Sequence, residues 1–168
     1  MLRDAVYHTA VAANLAPLRE ERALLPTSDS RPADILVPHW GPGGKDLAID
    51  VTVVNSVRLD LVARCAEDPG LGLSTAFGNK WRRYGKACEA EGISFCPFVI
   101  DSFGAWHERA AREVKRLGLA LARATGQSDS QVIGQLIQRL SLLVMRRSAI
   151  LLVNRTPEDG QTMVIDNL

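Results

Sequence analysis

Three residues in this chain have the types and the spacing for metal-assisted hydrolysis: Asp34, Asp50 sixteen residues later, and Lys80 a further thirty residues on. Asp34 opens the short apolar run D-I-L-V, and Asp50 interrupts the run L-A-I-D-V-T-V-V at 47–54. An isolated carboxylate in such a run is expensive to desolvate unless a cation pairs with it, and two of them on neighbouring strands repel. A divalent metal between them would remove both problems. Hydrolysis of a phosphodiester calls for such a hard cation, and Mg²⁺ or Mn²⁺ accepts one or two carboxylates together with waters and phosphate oxygens. A lysine then orients or deprotonates the attacking water and offsets the charge that develops on phosphorus.

The elements that must position these groups follow from hydrophobic periodicity and turn residues. The two apolar runs flank Gly41-Pro42-Gly43-Gly44 and read as a β-hairpin with one acid on each strand. Before it, 2–25 has a helical period that Pro17 kinks or ends, and 27–32 is a polar loop. After it, 55–72 reads as a loop or short helix closed by Asp68-Pro69-Gly70. Phe77, Trp81, Tyr84 and Cys88 then recur at spacings of four, three and four, a helical stripe over 74–91 stopped by Gly92. Lys80 and Tyr84, four apart, share a face of that helix. The run I-S-F-C-P-F-V-I-D at 93–101 is a strand that Pro97 assigns to an edge or a bulge. Two long helices, 106–125 and 130–154, complete the order, with Ser128 or Asp129 as N-cap between them; the second carries a wide apolar stripe, from Val132 and Leu136 through Leu140 and Leu143 to Ile150, that must pack on the sheet or on its partner helix. The result is an α/β sandwich, a small mixed sheet flanked by helices, with the helix over 74–91 crossing between parallel strands. It forms one domain over 1–157 and a tail over 158–168, in which 163–165 adds a short strand.

With 168 residues, 46% hydrophobic and 23% charged, the chain can bury a core without disulfides or structural metal. Its net charge of +1 announces no polyanion partner, so a nucleic-acid surface has to come from local clusters such as Lys80, Arg82, Arg83 and Lys86. Cys65, Cys88 and Cys96 lack C-x-x-C spacing and read as reduced thiols of an intracellular protein. No apolar run reaches the ~20 residues of a membrane span, and no signal peptide is read at the start. The chain is expected to be either a short protein or a domain of a longer one.

Proline followed closely by an acid at the head of one strand, an acid in the next and a lysine beyond it resembles the PD-(D/E)xK restriction-endonuclease superfamily. Within it, R-P-A-D, I-D-V-T and K-W-R-R-Y resemble the restriction-like endonuclease domain at the C-terminal end of site-specific non-LTR retrotransposon proteins. There the lysine sits on the helix with a tyrosine four residues later, as Lys80 and Tyr84 do here. The likeness covers roughly 31–104, with F-C-P-F-V-I-D-S-F-G similar to the strand and turn after the catalytic helix. It implies a restriction-endonuclease-like fold and Mg²⁺- or Mn²⁺-dependent nicking of DNA to prime reverse transcription. Asp34 and Asp50 would be the ligands, Lys80 the water-orienting group and Tyr84 an accessory. Arg31, Lys45, Arg82, Arg83 and Lys86 would contact DNA. A reverse transcriptase domain in the same polypeptide and a nuclear location are also implied. The strand motif here reads P-A-D rather than P-D, and Thr52 stands where a D-x-K motif has its lysine, so activity rests on Lys80. A further acid from the first helix, Glu20 or Glu21, is expected as in many superfamily members.

Other readings of the same residues stay open at this level. Asp34 could cap its strand, and Asp50 could pair with Arg31 or Lys45. Asp46, on the same face as Asp50 by strand alternation, could be the ligand or a solvated neighbour. Lys80 could be solvated, while Tyr84 and Trp81 could be core. His39 and Trp40 are expected as exposed loop residues. The basic residues, including Arg109, Arg112, Lys115 and Arg116, could be solvated faces or a phosphate track. The chain could then be a catalytically inactive nucleic-acid-binding module, or an assembly module that forms a homodimer through its last helix.

Overall fold

The computed structural model describes residues 2–19, 25 and 32–154. Glu20, Glu21, Arg31 and the tail expected over 158–168, with its strand at 163–165, lie outside the described residues.

The first helix is shorter than the pattern suggests. α1 spans Leu2–Ala12 and stops before Pro17 is reached. Asn14 adopts the left-handed conformation at φ 59°. Its N–H bonds the Val11 carbonyl while the Leu15 N–H bonds that of Ala10, both at 3.0 Å. This is the Schellman arrangement, with asparagine in the place glycine usually takes. The chain then contributes a short strand, β1 (Leu18–Arg19), antiparallel to β2 (Ile35–Val37).

β2 and β3 (Leu47–Val54) form the expected antiparallel pair, with Ile35 opposite Ile49. Their connection contains a 3-10 turn at Pro42–Gly44, where Gly43 and Gly44 take positive φ, as the turn requires. β4 (Ser94–Asp101) pairs parallel with β3, so the sheet is mixed and runs β1-β2-β3-β4. β4 is thus an outer strand, as Pro97 implies. The N–H of His107 bonds the Val99 carbonyl and that of Asp101 bonds the Ala105 carbonyl, so the odd-numbered residues of β4 turn their backbone polar groups away from β3. Pro97 shares that parity, and its missing N–H takes nothing from the β3 ladder.

Between β3 and β4 the chain forms α2 (Val62–Glu67) and then a long helix. It starts as α3 (Leu71–Lys80), winds through a π-turn at Trp81–Gly85 and ends as α4 (Lys86–Ala90). The pattern expected a helix from 74; the winding starts three residues earlier, at Leu71. α5 (Glu108–Thr125) and α6 (Asp129–Val153) follow. Strand alternation divides the sheet between two cores. On one face Ile35, Val37, Leu47, Ile49, Cys96, Phe98 and Ile100 pack against α1, α5 and α6. On the other, Leu36, Ala48 and Phe95 pack with Cys88, Trp81 and Tyr84 of the long helix.

The apolar stripe of α6 is buried at Val132, Leu136, Leu140 and Val144 but not to its end. Leu143 and Ile150, expected to pack, are exposed together with Leu142, Met145, Leu151 and Val153. At ~1.5 Å per residue a helix of 25 residues is about 37 Å long, and an eight-residue strand at ~3.3 Å per residue reaches only about 26 Å. Ile150, Leu151 and Val153 lie on the last turns of α6, which outrun the sheet they would cover, whereas Leu142, Leu143 and Met145 are exposed beside the buried Val144.

α5 and α6 approach closely at Gly118, where a Cβ would lie 2.7 Å from Ile133 Cγ1 and 3.2 Å from its Cα. Alanine gains ~1 kcal/mol in helix propensity over glycine, whereas overpacking typically costs about 1–3 kcal/mol. Gly118→Ala is therefore expected to lower the urea midpoint of unfolding; a raised midpoint would show that the two helices separate freely.

Candidate functional site

β3 is buried on both faces over 47–50, which places Asp50 under the long helix with only 8% of its surface exposed. Lys80, at the end of α3, reaches over the sheet and sets its Nζ 2.7 Å from Asp50 Oδ2. The contact is a close ion pair, with the lysine side chain still 35% exposed. Among the described residues Asp50 is thus paired by Lys80 rather than by Lys45, and Lys80 is engaged rather than free in solvent; Arg31, the other partner open from sequence, lies outside the described residues.

Asp34 lies one residue before the paired Ile35 and Ile49, where the same register would set it opposite Asp50. The ladder slips there: the Asp34 N–H bonds the Ile49 carbonyl at 2.9 Å, and Asp34 Oδ2 accepts the Val51 N–H at 2.8 Å. Its side chain thereby ends the β2–β3 ladder, the capping role open to it from sequence. Asp34 Oδ1 has no hydrogen-bond partner among the described residues.

Burial raises the Asp50 carboxyl above the ordinary aspartate value. The Lys80 hydrogen bond and charge act against that shift, the Asp34 charge adds to it, and the charge of Arg83 opposes it. The net direction is upward, so the positive charge supplied by the chain does not fully offset the burial of this acid beside a second one. Two adjacent carboxylates short of positive charge are a donor set that suits a hard divalent cation. Among the described residues no group of three or more His, Cys, Asp or Glu that could hold a metal is gathered.

No family model and no curated protein matches this chain.

The other candidates sort by contact. Tyr84 stands edge-on to Phe95 with centroids 6.0 Å apart, under the Arg83 guanidinium at 5.0 Å. It packs against the second core, and its hydroxyl makes no hydrogen bond among the described residues. Arg82 bonds Asn79 Oδ1 at 3.2 Å on the outer face, where Lys86 is also exposed. Lys45 stays at the hairpin and lines a cavity of about 230 Å³ with Trp81, Ser94 and Arg109. Asp46 is a turn residue whose Oδ1 accepts the His39 N–H at 2.9 Å, which holds His39 at φ 55°. His39 is exposed as expected; Trp40 is not, for it packs on the main core with the Arg116 guanidinium 4.6 Å above its ring.

Two of the basic residues of α5 are engaged within the fold, while Lys115 is exposed. Arg112 pairs with Glu108, and Arg116 pairs with the buried Glu113 and donates to the Trp40 carbonyl. All three cysteines are free and buried, and burial pushes the Cys96 thiol up to about 12, which removes it as a nucleophile.

Two positioning features had little or no sequence signature. His107 caps α5 by accepting the Arg109 N–H, and it stacks on Phe77 at 4.1 Å, three residues before Lys80. The π-turn was announced only by Gly85, a glycine inside a helix, where it costs ~1 kcal/mol and usually has a packing reason.

The upward shift of Asp50 fixes the sign of a pH test. The folded-state value exceeds the ordinary 3.8, so its ionisation weakens the fold as pH rises through that interval, and the penalty is absent below 3.8. Asp50→Asn is expected to be at least as stable as the native chain at pH 7, with the two thermal midpoints converging in acid. A variant much less stable at pH 7 would mean that the ion pair stabilises the fold.

Proposed function

We propose that this chain is a divalent-metal-dependent DNA endonuclease of the restriction-like type, hydrolysing phosphodiester bonds. The observation that carries the reading is the Lys80 Nζ–Asp50 contact of 2.7 Å, with Asp34 close enough to act on Asp50 through its charge. A buried acid that gains no net stability from its surroundings is characteristic of a functional group. Asp34 and Asp50 would hold Mg²⁺ or Mn²⁺, which supplies charge withdrawal from the phosphate and acidification of a water. Lys80 holds its ammonium beside Asp50, where it can orient the water and offset charge developing on the phosphoryl oxygens. Arg83, close enough to act on Asp50 through its charge, adds positive potential on the same side. The exposed Arg82 and Lys86 present further charge for phosphates along a DNA backbone. Nicking that provides a primer end for a reverse transcriptase domain of the same polypeptide is the cellular role this activity would serve, in the nucleus.

One alternative has its own observation. Asp34 caps Val51 and Lys80 neutralises Asp50, and both contacts also serve the fold. A catalytically inactive nucleic-acid-binding module would keep them and use only the outer basic residues. Salt-sensitive DNA binding without cleavage in Mg²⁺ or Mn²⁺ would select it.

Nicking of supercoiled plasmid in Mg²⁺ distinguishes the two. The native chain is expected to nick and to be stopped by chelator. Asp50→Ala is expected to lose activity entirely, and Lys80→Ala to lose about 100-fold or more, each with unchanged circular dichroism. Undiminished nicking by Asp50→Ala refutes the assignment.

A further inference from the structure

The helix that carries Lys80 departs from regular winding once, in the π-turn that begins at the next residue, Trp81. Its backbone is not strained: φ is −65° at Lys80, −59° at Trp81 and −57° at Gly85. Any L-residue adopts such angles, so nothing in the backbone calls for glycine at 85. The reason is the Trp81 ring. A Cβ at 85 would lie 2.9 Å from its Cδ2 and 3.0 Å from its Cε2. The ring has little freedom to swing away, because Phe77 stacks on it at 6.0 Å and Phe95 lies 6.2 Å off.

The helix is also anchored on both sides of the turn. Before it, Phe77 lies on His107 and Lys80 on Asp50. After it, Cys88 is fully buried in the second core, and within the turn Tyr84 meets Phe95. Inserting or removing one residue in a helix rotates everything beyond it by about 100°. A regular α-turn would therefore keep one set of anchors and turn the other away from the sheet.

We propose that the bare Cα of Gly85, by seating the Trp81 ring, holds the π-turn and thereby places Lys80 against Asp50. Gly85 and Trp81 are positioning residues for the acid–lysine pair. The consequence for cleavage rests on the nuclease reading; the placement of Lys80 does not.

Acetylation of lysine amines read by mass spectrometry tests the placement without any cleavage. The chain has four lysines, and Lys45, Lys86 and Lys115 are exposed and serve as internal standards. Lys80 is expected to react several-fold more slowly than they do in the native chain, and at their rate in Asp50→Asn, where the ion pair is gone. In Gly85→Ala the Lys80 rate is expected to rise to the Asp50→Asn level. A folded Gly85→Ala that keeps the slow native rate overturns the proposal. If circular dichroism shows that Gly85→Ala does not fold, Trp81→Ala, which removes the ring seated on the bare Cα, is expected to fold and to label Lys80 at the Asp50→Asn rate. A Trp81→Ala variant that fails to fold, or folds with Lys80 still slow, overturns the proposal. Plasmid nicking by the native chain is scored separately, so a chain that never nicks but shows these rates loses the nuclease reading and keeps the positioning.

Discussion

The structure is organised around one awkward group, the carboxylate of Asp50 in the middle of the most buried strand. Solvent-exposed ion pairs contribute ~0–1 kcal/mol, whereas removing one member of a fully buried pair costs about 3–5 kcal/mol. Lys80, with its side chain still 35% exposed, falls between these limits. Its ammonium keeps part of its hydration, and the acid remains raised above its ordinary value. The pair thus leaves part of the cost of burying the acid uncompensated. A chain selected for stability alone would carry a valine or isoleucine at this position, in keeping with its neighbours Ile49 and Val51.

The rest of the architecture makes that placement reproducible. Alternate residues of β3 serve different layers: Leu47 and Ile49 fill the core beneath α1, α5 and α6, while Ala48 and Asp50 face the long helix. The register of the hydrophobic core and the register of the candidate site are therefore one and the same. The helix is held by aromatic contacts before and within its π-turn and by buried Cys88 after it, with His107 tying its first half to the start of α5. Each acid stands on a strand or at its mouth and the lysine on a helix, so no group of the pair depends on a loose loop.

Much of this was legible in the residues. The hairpin followed from Gly41-Pro42-Gly43-Gly44 between two apolar runs, and the helix that faces it from the spacing of Phe77, Trp81, Tyr84 and Cys88. The reading went astray where the deciding contact is distant in sequence. Arg116 could not be assigned to Trp40, seventy-six residues away, without the fold, so the arginines of α5 looked free. The outer half of the α6 stripe was read as buried because hydrophobicity reports what could pack, not how far the sheet extends. α1 was drawn too long because Pro17 was taken as its breaker, although Asn14 had already ended it in a left-handed turn. Asp50 was identifiable because a lone acid in an apolar strand violates local expectation; the π-turn had only Gly85 to mark it, and a glycine inside a helix does not say which winding it serves.

The outer edge of β4 has one more consequence. Along a free edge, unpaired amides and carbonyls form a template on which another chain can zip up. Here the half of that edge near Asp101 is already engaged by residues 105–107, and the other half is interrupted by Pro97, which has no amide to offer. The sheet is closed to strand addition from that direction. Lateral growth into a larger sheet or a fibre is blocked there, leaving helical surfaces as the means by which neighbours can attach on that side.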